Sequence, residues 1–136
     1  MSEPVRIMRE LLERMLAEAR RSPRAECCGL LAGRNGVMTA IFPAANALAS
    51  DTAFEIAPAE LFRLFREMRA AGFEHLGIYH SHPAGPNVPS TRDIENAFYP
   101  DAVYFILSPL PDAPQPVRAF HIRDGAATEL EIKEEI

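Results

Sequence analysis

Between Met8 and Ala19, apolar side chains recur three and four positions apart, at Met8, Leu11, Leu12, Met15, Leu16 and Ala19, with arginines and glutamates between them. That spacing predicts an amphipathic helix ending near Ser22-Pro23, with one face laid on a sheet. Val5-Arg6-Ile7, just before it, also reads as a short edge strand, and the boundary stays open. The period then changes. Glu26 to Arg34 is almost continuously apolar, Asn35-Gly36 is the dipeptide of a two-residue type I′ turn, and Val37 to Pro43 follows as the returning antiparallel strand. Ala44 to Ile56 has no sustained period and reads as a mixed loop. Asn46 and Asp51 are its turn formers, and Phe54 and Ile56 share one face of an extended piece. From Pro58, at a first helical position, Leu61, Phe62, Leu64, Phe65 and Met68 mark a second helix that stops at Gly72.

Phe73 to Tyr79 is a buried strand that runs into His80. After a loop containing Ala84, Gly85, Pro86, Asn87 and Pro89, the stretch Ser90-Thr91-Arg92-Asp93 opens a short helix reaching to about Pro100, with Ile94, Ala97 and Phe98 on its inner face. Ala102 to Leu107 is a further buried strand. Prolines 109, 111, 114 and 116 then stiffen a loop, either a substrate-facing rim or a plain surface connection. Val117 to Arg123, a turn at Asp124-Gly125 and Ala126 to Ile132 form a second hairpin, and Glu131 to Glu135 read as a solvated strand end. The fold class is therefore α/β in the loose, α+β sense: a mixed, largely antiparallel central sheet of about six strands flanked by two longer helices and one short one. Residues 1–136 form a single domain, with no repeat, linker or low-complexity segment.

Composition narrows the partners. A net charge of −5 and a pI near 5.4 argue against a dedicated nucleic-acid binder, which needs a basic face to displace counterions from phosphates. Arg20, Arg21 and Arg24 cluster, and a solvated helix end explains them better than a phosphate contact. Cys27 and Cys28 are neighbours whose side chains point to opposite faces of a strand, so no ordinary disulfide joins them. They read as buried small apolar residues rather than as nucleophiles. The absence of a disulfide framework, and a start at Met1-Ser2-Glu3-Pro4 with no signal peptide or apolar span, point to the cytoplasm and to no membrane partner.

The chemistry concentrates between His80 and Asp93. Residues two apart on a strand share a face, so His80 and His82, two of the chain's four histidines, project together. The loop after Pro83 folds back and lets Asp93 face both rings. Two neutral imidazoles and one carboxylate suit zinc and leave its fourth tetrahedral position open, which implies catalysis. The same three residues also make the facial triad of non-haem iron oxygenases. Each half has a plainer account as well: His-x-His pairs are often surface or core histidines, and Ser90 with Asp93 makes a helix-capping box. His75 and His121 lack a partnering motif and read as structural.

His80-Ser81-His82-Pro83, followed by seven residues between His82 and Ser90 and two between Ser90 and Asp93, resembles the JAMM motif of the MPN-domain (Mov34/PAD-1) metallopeptidases. Upstream, Glu26-Cys27-Cys28-Gly29-Leu30-Leu31-Ala32-Gly33 is similar to the corresponding strand of small prokaryotic members. The resemblance covers nearly the whole chain and implies an MPN/JAB fold of cytidine-deaminase-like type. It implies one Zn2+ per chain on His80, His82 and Asp93, Glu26 as general base, and Ser90 as a stabiliser of the tetrahedral intermediate. A chain this short has little room for the insertions that grip ubiquitin in the family's deubiquitinases. The implied substrate is therefore a ubiquitin-like or ThiS- or MoaD-like sulfur-carrier protein with a Gly-Gly tail, from which an amino acid such as cysteine is released. A non-catalytic MPN scaffold and a RadC-like protein are the other readings within reach of the motif, and a homodimer is left open.

Overall fold

The computed structural model describes residues 3–136; Met1 and Ser2, part of the N-terminal stretch read above for targeting signals, lie outside the described residues. The elements run β1 (Val5–Met8), α1 (Arg9–Arg20), β2 (Cys28–Arg34), β3 (Val37–Ala44), α2 (Pro58–Ala70), β4 (Glu74–Ser81), α3 (Thr91–Glu95), β5 (Val103–Leu107), β6 (Val117–Arg123), β7 (Ala126–Leu130) and β8 (Ile132–Glu135). All eight strands join one sheet in the order β7-β6-β5-β4-β2-β3-β1-β8. The pairs β2/β3, β2/β4, β5/β6 and β6/β7 are antiparallel, while β1/β3, β1/β8 and β4/β5 are parallel. The expected mixed, mostly antiparallel α+β sheet is what forms.

Its strand number is eight rather than about six. Val5-Arg6-Ile7 is a strand, and the acidic tail, with Lys133 and Glu134 exposed as read, is not the end of the hairpin strand but a strand of its own, β8, paired with β1 along Val5 to Met8. Both are four residues long, too short to show a period, and each owes its conformation to its neighbour. Hence the second hairpin ends at Leu130, and Ile132 already belongs to the next strand. That break has a geometric consequence. β7 and β8 lie at opposite ends of the strand order, yet only Glu131 separates them. Eight strands laid flat would span roughly 34 Å, whereas one intervening residue bridges about 7 Å. The sheet therefore curls until its two ends meet. The segment 126–135 bonds β6 with its first half and β1 with its second, and the Val5 N–H donates to the Glu131 carbonyl at 2.8 Å. Arg6–Glu135 and Arg9–Glu134 ion pairs reinforce the seam, though exposed pairs of this kind contribute only about 0–1 kcal/mol each.

Helix α1 fills the inside of the curl. Leu11, Leu12, Met15 and Ala19 pack with Ile7, Leu31, Tyr79, Phe105 and Leu130, and each fully buried aliphatic side chain contributes roughly 1.5–3 kcal/mol. On the other face of the sheet, Leu64 and Met68 of α2 pack with Leu30, Ile78, Tyr104 and Ile106. Strand β5 serves both cores alternately, with Val103, Phe105 and Leu107 toward α1 and Tyr104 and Ile106 toward α2. This is why it reads as an unbroken apolar run. Neither long helix has a side-chain N-cap, so burial of the apolar stripe holds them.

The expected type I′ turn forms at Asn35 and Gly36, with φ of 56° and 76°, and the turn expected at Asp124 and Gly125 is of the same kind, with φ of 53° and 75°. Two boundaries differ from expectation. Strand β2 begins at Cys28, leaving Glu26 just ahead of it. Helix α3 stops at Glu95 instead of running to Pro100, because Asn96 leaves helical geometry and the chain turns Ala97 and Tyr99 into the α2 core. Phe98, placed by periodicity on the inner face, is consequently 72% exposed. Cys27 and Cys28 are free and buried, and Arg20, Arg21 and Arg24 are exposed, as read. Among the described residues, no helix is long and apolar enough to cross a membrane.

Candidate metal centre

Strands β2 and β4 bring the functional side chains together. Cys28 pairs with His80 in antiparallel register, so continuing that register by two residues sets Glu26 across from His82. The continuation is visible in the backbone: the Cys27 N–H donates to Ser81 Oγ at 2.9 Å, and the Ser81 N–H donates to the Cys27 carbonyl at 3.0 Å. Opposed residues of an antiparallel pair share a face, as do residues two apart. Glu26, His80 and His82 thus belong to the α2 side, while Cys27 and Tyr79 pack on the α1 side.

Asp93 reaches the histidines from α3. Its Oδ1 lies 3.2 Å from His80 Nε2 and its Oδ2 3.1 Å from His82 Nε2, and the two ring nitrogens are 3.1 Å apart. The side chains are 2%, 14% and 9% exposed for His80, His82 and Asp93, so solvent contributes little to this cluster. His82 Nδ1–H donates to the Pro86 carbonyl at 2.8 Å, so in the neutral ring the lone pair is on Nε2, facing His80 and Asp93, whereas the protonated ring donates from Nε2 to Asp93 Oδ2. Three ligand atoms converging within 4.8 Å of one another, two of them neutral nitrogens and one a carboxylate oxygen, fit a metal ion.

Electrostatics point the same way. Burial alone would raise the Asp93 pKa, but hydrogen bonds with His80 and His82, then the Ser90 N–H, outweigh it and hold the carboxyl well below the usual range. Burial lowers the His80 pKa and keeps that ring neutral. For His82, burial is outweighed by the Asp93 and Pro86 hydrogen bonds, and its pKa is raised. Glu26 is buried, and desolvation pushes its pKa up to about 7, with the positive charge of His82 opposing and the negative charge of Asp93 adding to the rise. Its Oε1 and His80 Nδ1 are buried polar atoms without a hydrogen-bond partner.

Ser90 caps α3. Its Oγ accepts from the Asp93 N–H at 3.1 Å and its own N–H donates to Asp93 Oδ2 at 2.9 Å. The capping-box account and the site account of this pair are therefore one structure, and the hydroxyl proton of Ser90 is not consumed by the cap. The loop between Pro83 and Pro89 is tied down by Asn87, whose Nδ2 donates to the carbonyls of Ile106 and Gln115. Gln115 belongs to the proline-rich stretch, which thus lies against the loop shaping the site.

Three contacts escaped the sequence reading. Phe54 stacks on His80, with ring centroids 4.6 Å apart and planes at 21°; its pairing with Ile56 on one face was legible, its target was not. Asn46 is far more than a turn former, with five hydrogen bonds from its side chain. Asn87 gave no signal beyond being a polar residue in a loop. Next to His80 and Asp93, Leu30, Phe54, Ile78 and Tyr104 line an apolar recess of about 220 Å³, to which Arg92 and Glu55 also contribute. His75 packs edge-on to Phe65 and Tyr99 and contacts the Gly77 carbonyl, as suits a structural residue. The cysteine thiols are pushed up to about 11 and about 12 by burial, which makes both poor nucleophiles at neutral pH.

With this geometry in view, the comparisons with known proteins are consistent. The chain is 36% identical over 125 residues to the CysO-cysteine peptidase of Mycobacterium tuberculosis, covering 90% of this chain and 86% of that protein. It is 41% identical over 90 residues to the desampylase of Haloferax volcanii, covering 64% of this chain and 65% of that one. The solution structure of DSY2949 from Desulfitobacterium hafniense superposes with a TM-score of 0.80 at 37% identity, over 96% of this chain and 93% of that one. The family described as prokaryotic homologs of the JAB domain matches residues 8–123, and the chain belongs to it.

Proposed function

We propose that the chain is a zinc-dependent peptidase or isopeptidase of the JAMM type. Its substrate is a ubiquitin-like or sulfur-carrier protein, hydrolysed at the bond that follows the C-terminal Gly-Gly, with cysteine as one released group. The observation that carries this reading is the convergence of His80, His82 and Asp93 with the buried carboxyl of Glu26 set across from His82. The names of the relatives, a CysO-cysteine peptidase and a desampylase, support a substrate that is itself a small carrier or modifier protein. The cytosol is the compartment proposed for this reaction.

His80, His82 and Asp93 would hold the zinc, which when bound supplies Lewis acidity that acidifies water and polarises the scissile carbonyl. Glu26 takes a proton from the attacking water and passes it to the leaving amine. A carboxyl whose pKa lies near 7 exchanges protons in both directions at neutral pH. The Ser90 hydroxyl, with its oxygen already accepting from Asp93, has its proton left to donate to the developing oxyanion.

The test joins metal analysis of the purified protein to a mass-spectrometric cleavage assay, using a ThiS-like carrier extended by one cysteine after Gly-Gly and Glu26→Ala as control. One zinc per chain and loss of one cysteine mass, abolished in the control, is the expected result. Zinc bound without cleavage would overturn the substrate assignment, and iron with oxygen-dependent turnover would overturn the reaction class.

A further inference from the structure

Glu26 precedes β2 and His80 lies on β4, and one side chain outside both joins them. Asn46, on the loop between β3 and α2, donates from Nδ2 to the Glu26 carbonyl at 3.1 Å and to the Ala53 carbonyl at 3.0 Å, with a longer contact to the Ser50 carbonyl at 3.4 Å. Its Oδ1 accepts from the N–H groups of Leu48 at 3.0 Å and Glu55 at 3.2 Å. The same loop holds Glu26 a second time, through the Glu26 N–H to the Ser50 carbonyl at 2.8 Å. Both polar groups of the Glu26 backbone are therefore fixed by this loop and not by the sheet.

Ala53 and Glu55 flank Phe54, the ring stacked on His80. A metal-binding histidine ordinarily owes its orientation to a hydrogen bond from its second ring nitrogen. His80 has none, because its Nδ1 is buried without a partner. Beyond the Nε2 contacts with Asp93 and His82, stacking on Phe54 is the contact that holds the ring plane. Asn46 thus grips the backbone of Glu26 with one N–H and the two neighbours of Phe54 with its other polar atoms.

We propose that Asn46 is a positioning residue that sets Glu26 and His80 relative to each other, acting on His80 through Phe54. This rests on the reading of Glu26 as proton carrier and His80 as ligand. The experiment compares Asn46→Ala, Asn46→Ser and Phe54→Leu in the full chain. Serine keeps a local turn bond to the Leu48 N–H and is too short to tether Glu26. Three quantities are read: zinc affinity of the metal-free protein by competition with a chromophoric chelator, kcat and KM on the carrier substrate, and thermal stability.

Both Asn46 variants are expected to lose kcat at least tenfold at saturating zinc, with KM within twofold, and to bind zinc severalfold more weakly. Phe54→Leu is expected to weaken zinc similarly while keeping kcat at saturating zinc within threefold. The double variant Asn46→Ser/Phe54→Leu should bind zinc no more weakly than the weaker single variant, since both act through one ring. Folded Asn46 variants that keep kcat and zinc affinity within twofold, with only thermal stability reduced, would overturn the proposal. Should neither Asn46 variant fold, an unchanged zinc affinity in Phe54→Leu overturns it and a severalfold loss supports it. A wild-type protein that binds zinc and cleaves nothing would sink the functional reading, leaving the affinity comparison to judge Asn46 alone.

Discussion

The Ser90 N–H donates to Asp93 Oδ2 at 2.9 Å while the Asp93 N–H donates back to Ser90 Oγ at 3.1 Å, so the helix cap and the third proposed metal ligand are a single reciprocal arrangement. Ser90→Ala removes only the second of these bonds. The first comes from the backbone and goes on orienting the carboxylate. Loss of a cap typically costs about 1 kcal/mol, and loss of an oxyanion donor about 10² to 10³ in rate. The expected Ser90→Ala protein therefore retains stoichiometric metal, melts slightly earlier and turns over at least a hundredfold more slowly. Metal analysis beside steady-state kinetics checks this, and unchanged turnover would remove Ser90 from the mechanism.

Elements with a long or strongly patterned signature were legible in the chain. The apolar period of Leu11, Leu12 and Met15, the Asn35-Gly36 turn and the run from Val103 to Leu107 all lie where the pattern put them. Strand β1 was legible only as one of two readings of Val5-Arg6-Ile7, and β8 only as the end of the preceding strand, because each has four residues and is made a strand by the other. In the site, strand periodicity sufficed to pair His80 with His82, and a returning loop to suggest Asp93. Glu26 was placed by resemblance alone. Its position depends on the β2/β4 register, a long-range quantity that no local pattern of residues encodes. The same limit hid the stacking of Phe54 and the tether at Asn46, whose partners are 26 and 20 residues away or backbone carbonyls without a sequence identity.

Asp93 supplies both of its oxygens to the histidine nitrogens, so replacing one by an amide N–H inserts a donor among ligand lone pairs. Asp93→Asn is expected to retain less than a tenth of the wild-type metal after dialysis, with the fold intact by circular dichroism. In the wild type, protons compete with the metal for His82, whose pKa is raised in the metal-free protein by its Asp93 and Pro86 partners despite burial. As pH falls through that raised value the ring becomes charged. Apparent metal affinity should fall with it, by about tenfold per pH unit for each proton displaced. Affinity independent of pH between neutrality and pH 5 would exclude His82 as a ligand.

Glu26 makes a stability statement as well as a catalytic one. Its folded pKa, raised by burial to about 7 from an ordinary 4.5, means that the folded state resists the ionised form. The sign follows from linkage: the favourable contribution of the protonated carboxyl is complete below pH 4.5 and is lost as pH rises through about 7. Glu26→Gln stays neutral throughout. In metal-free protein it should be about as stable as wild type near pH 4.5 and more stable at pH 8, by on the order of 2–3 kcal/mol, while hydrolysis is abolished. Urea denaturation with chelator present at both pH values measures the difference. A variant equally stable or less stable than wild type at pH 8 contradicts the burial argument.

Gly29 tests whether the packing under the site matters to the site. A Cβ added there would come within 2.5 Å of the Tyr79 ring and hydroxyl. Tyr79 cannot easily yield, being wholly buried with its hydroxyl donating to Glu18 at 2.6 Å. The strain falls on β4, and His80 is the next residue along it. Gly29→Ala should cost about 1–3 kcal/mol, as overpacking generally does, and should also weaken metal binding by displacing His80. Gly36→Ala is the control. There the added Cβ meets nothing within 4 Å, and only the left-handed φ of 76° is strained, at a turn remote from the ligands along the strand. It should lose about 1 kcal/mol and keep the wild-type metal affinity. Measured side by side, equal metal affinities in the two variants would show that β4 absorbs the strain before it reaches His80, whereas weakened binding in Gly29→Ala alone would tie the ligand geometry to the close approach of β2 and β4.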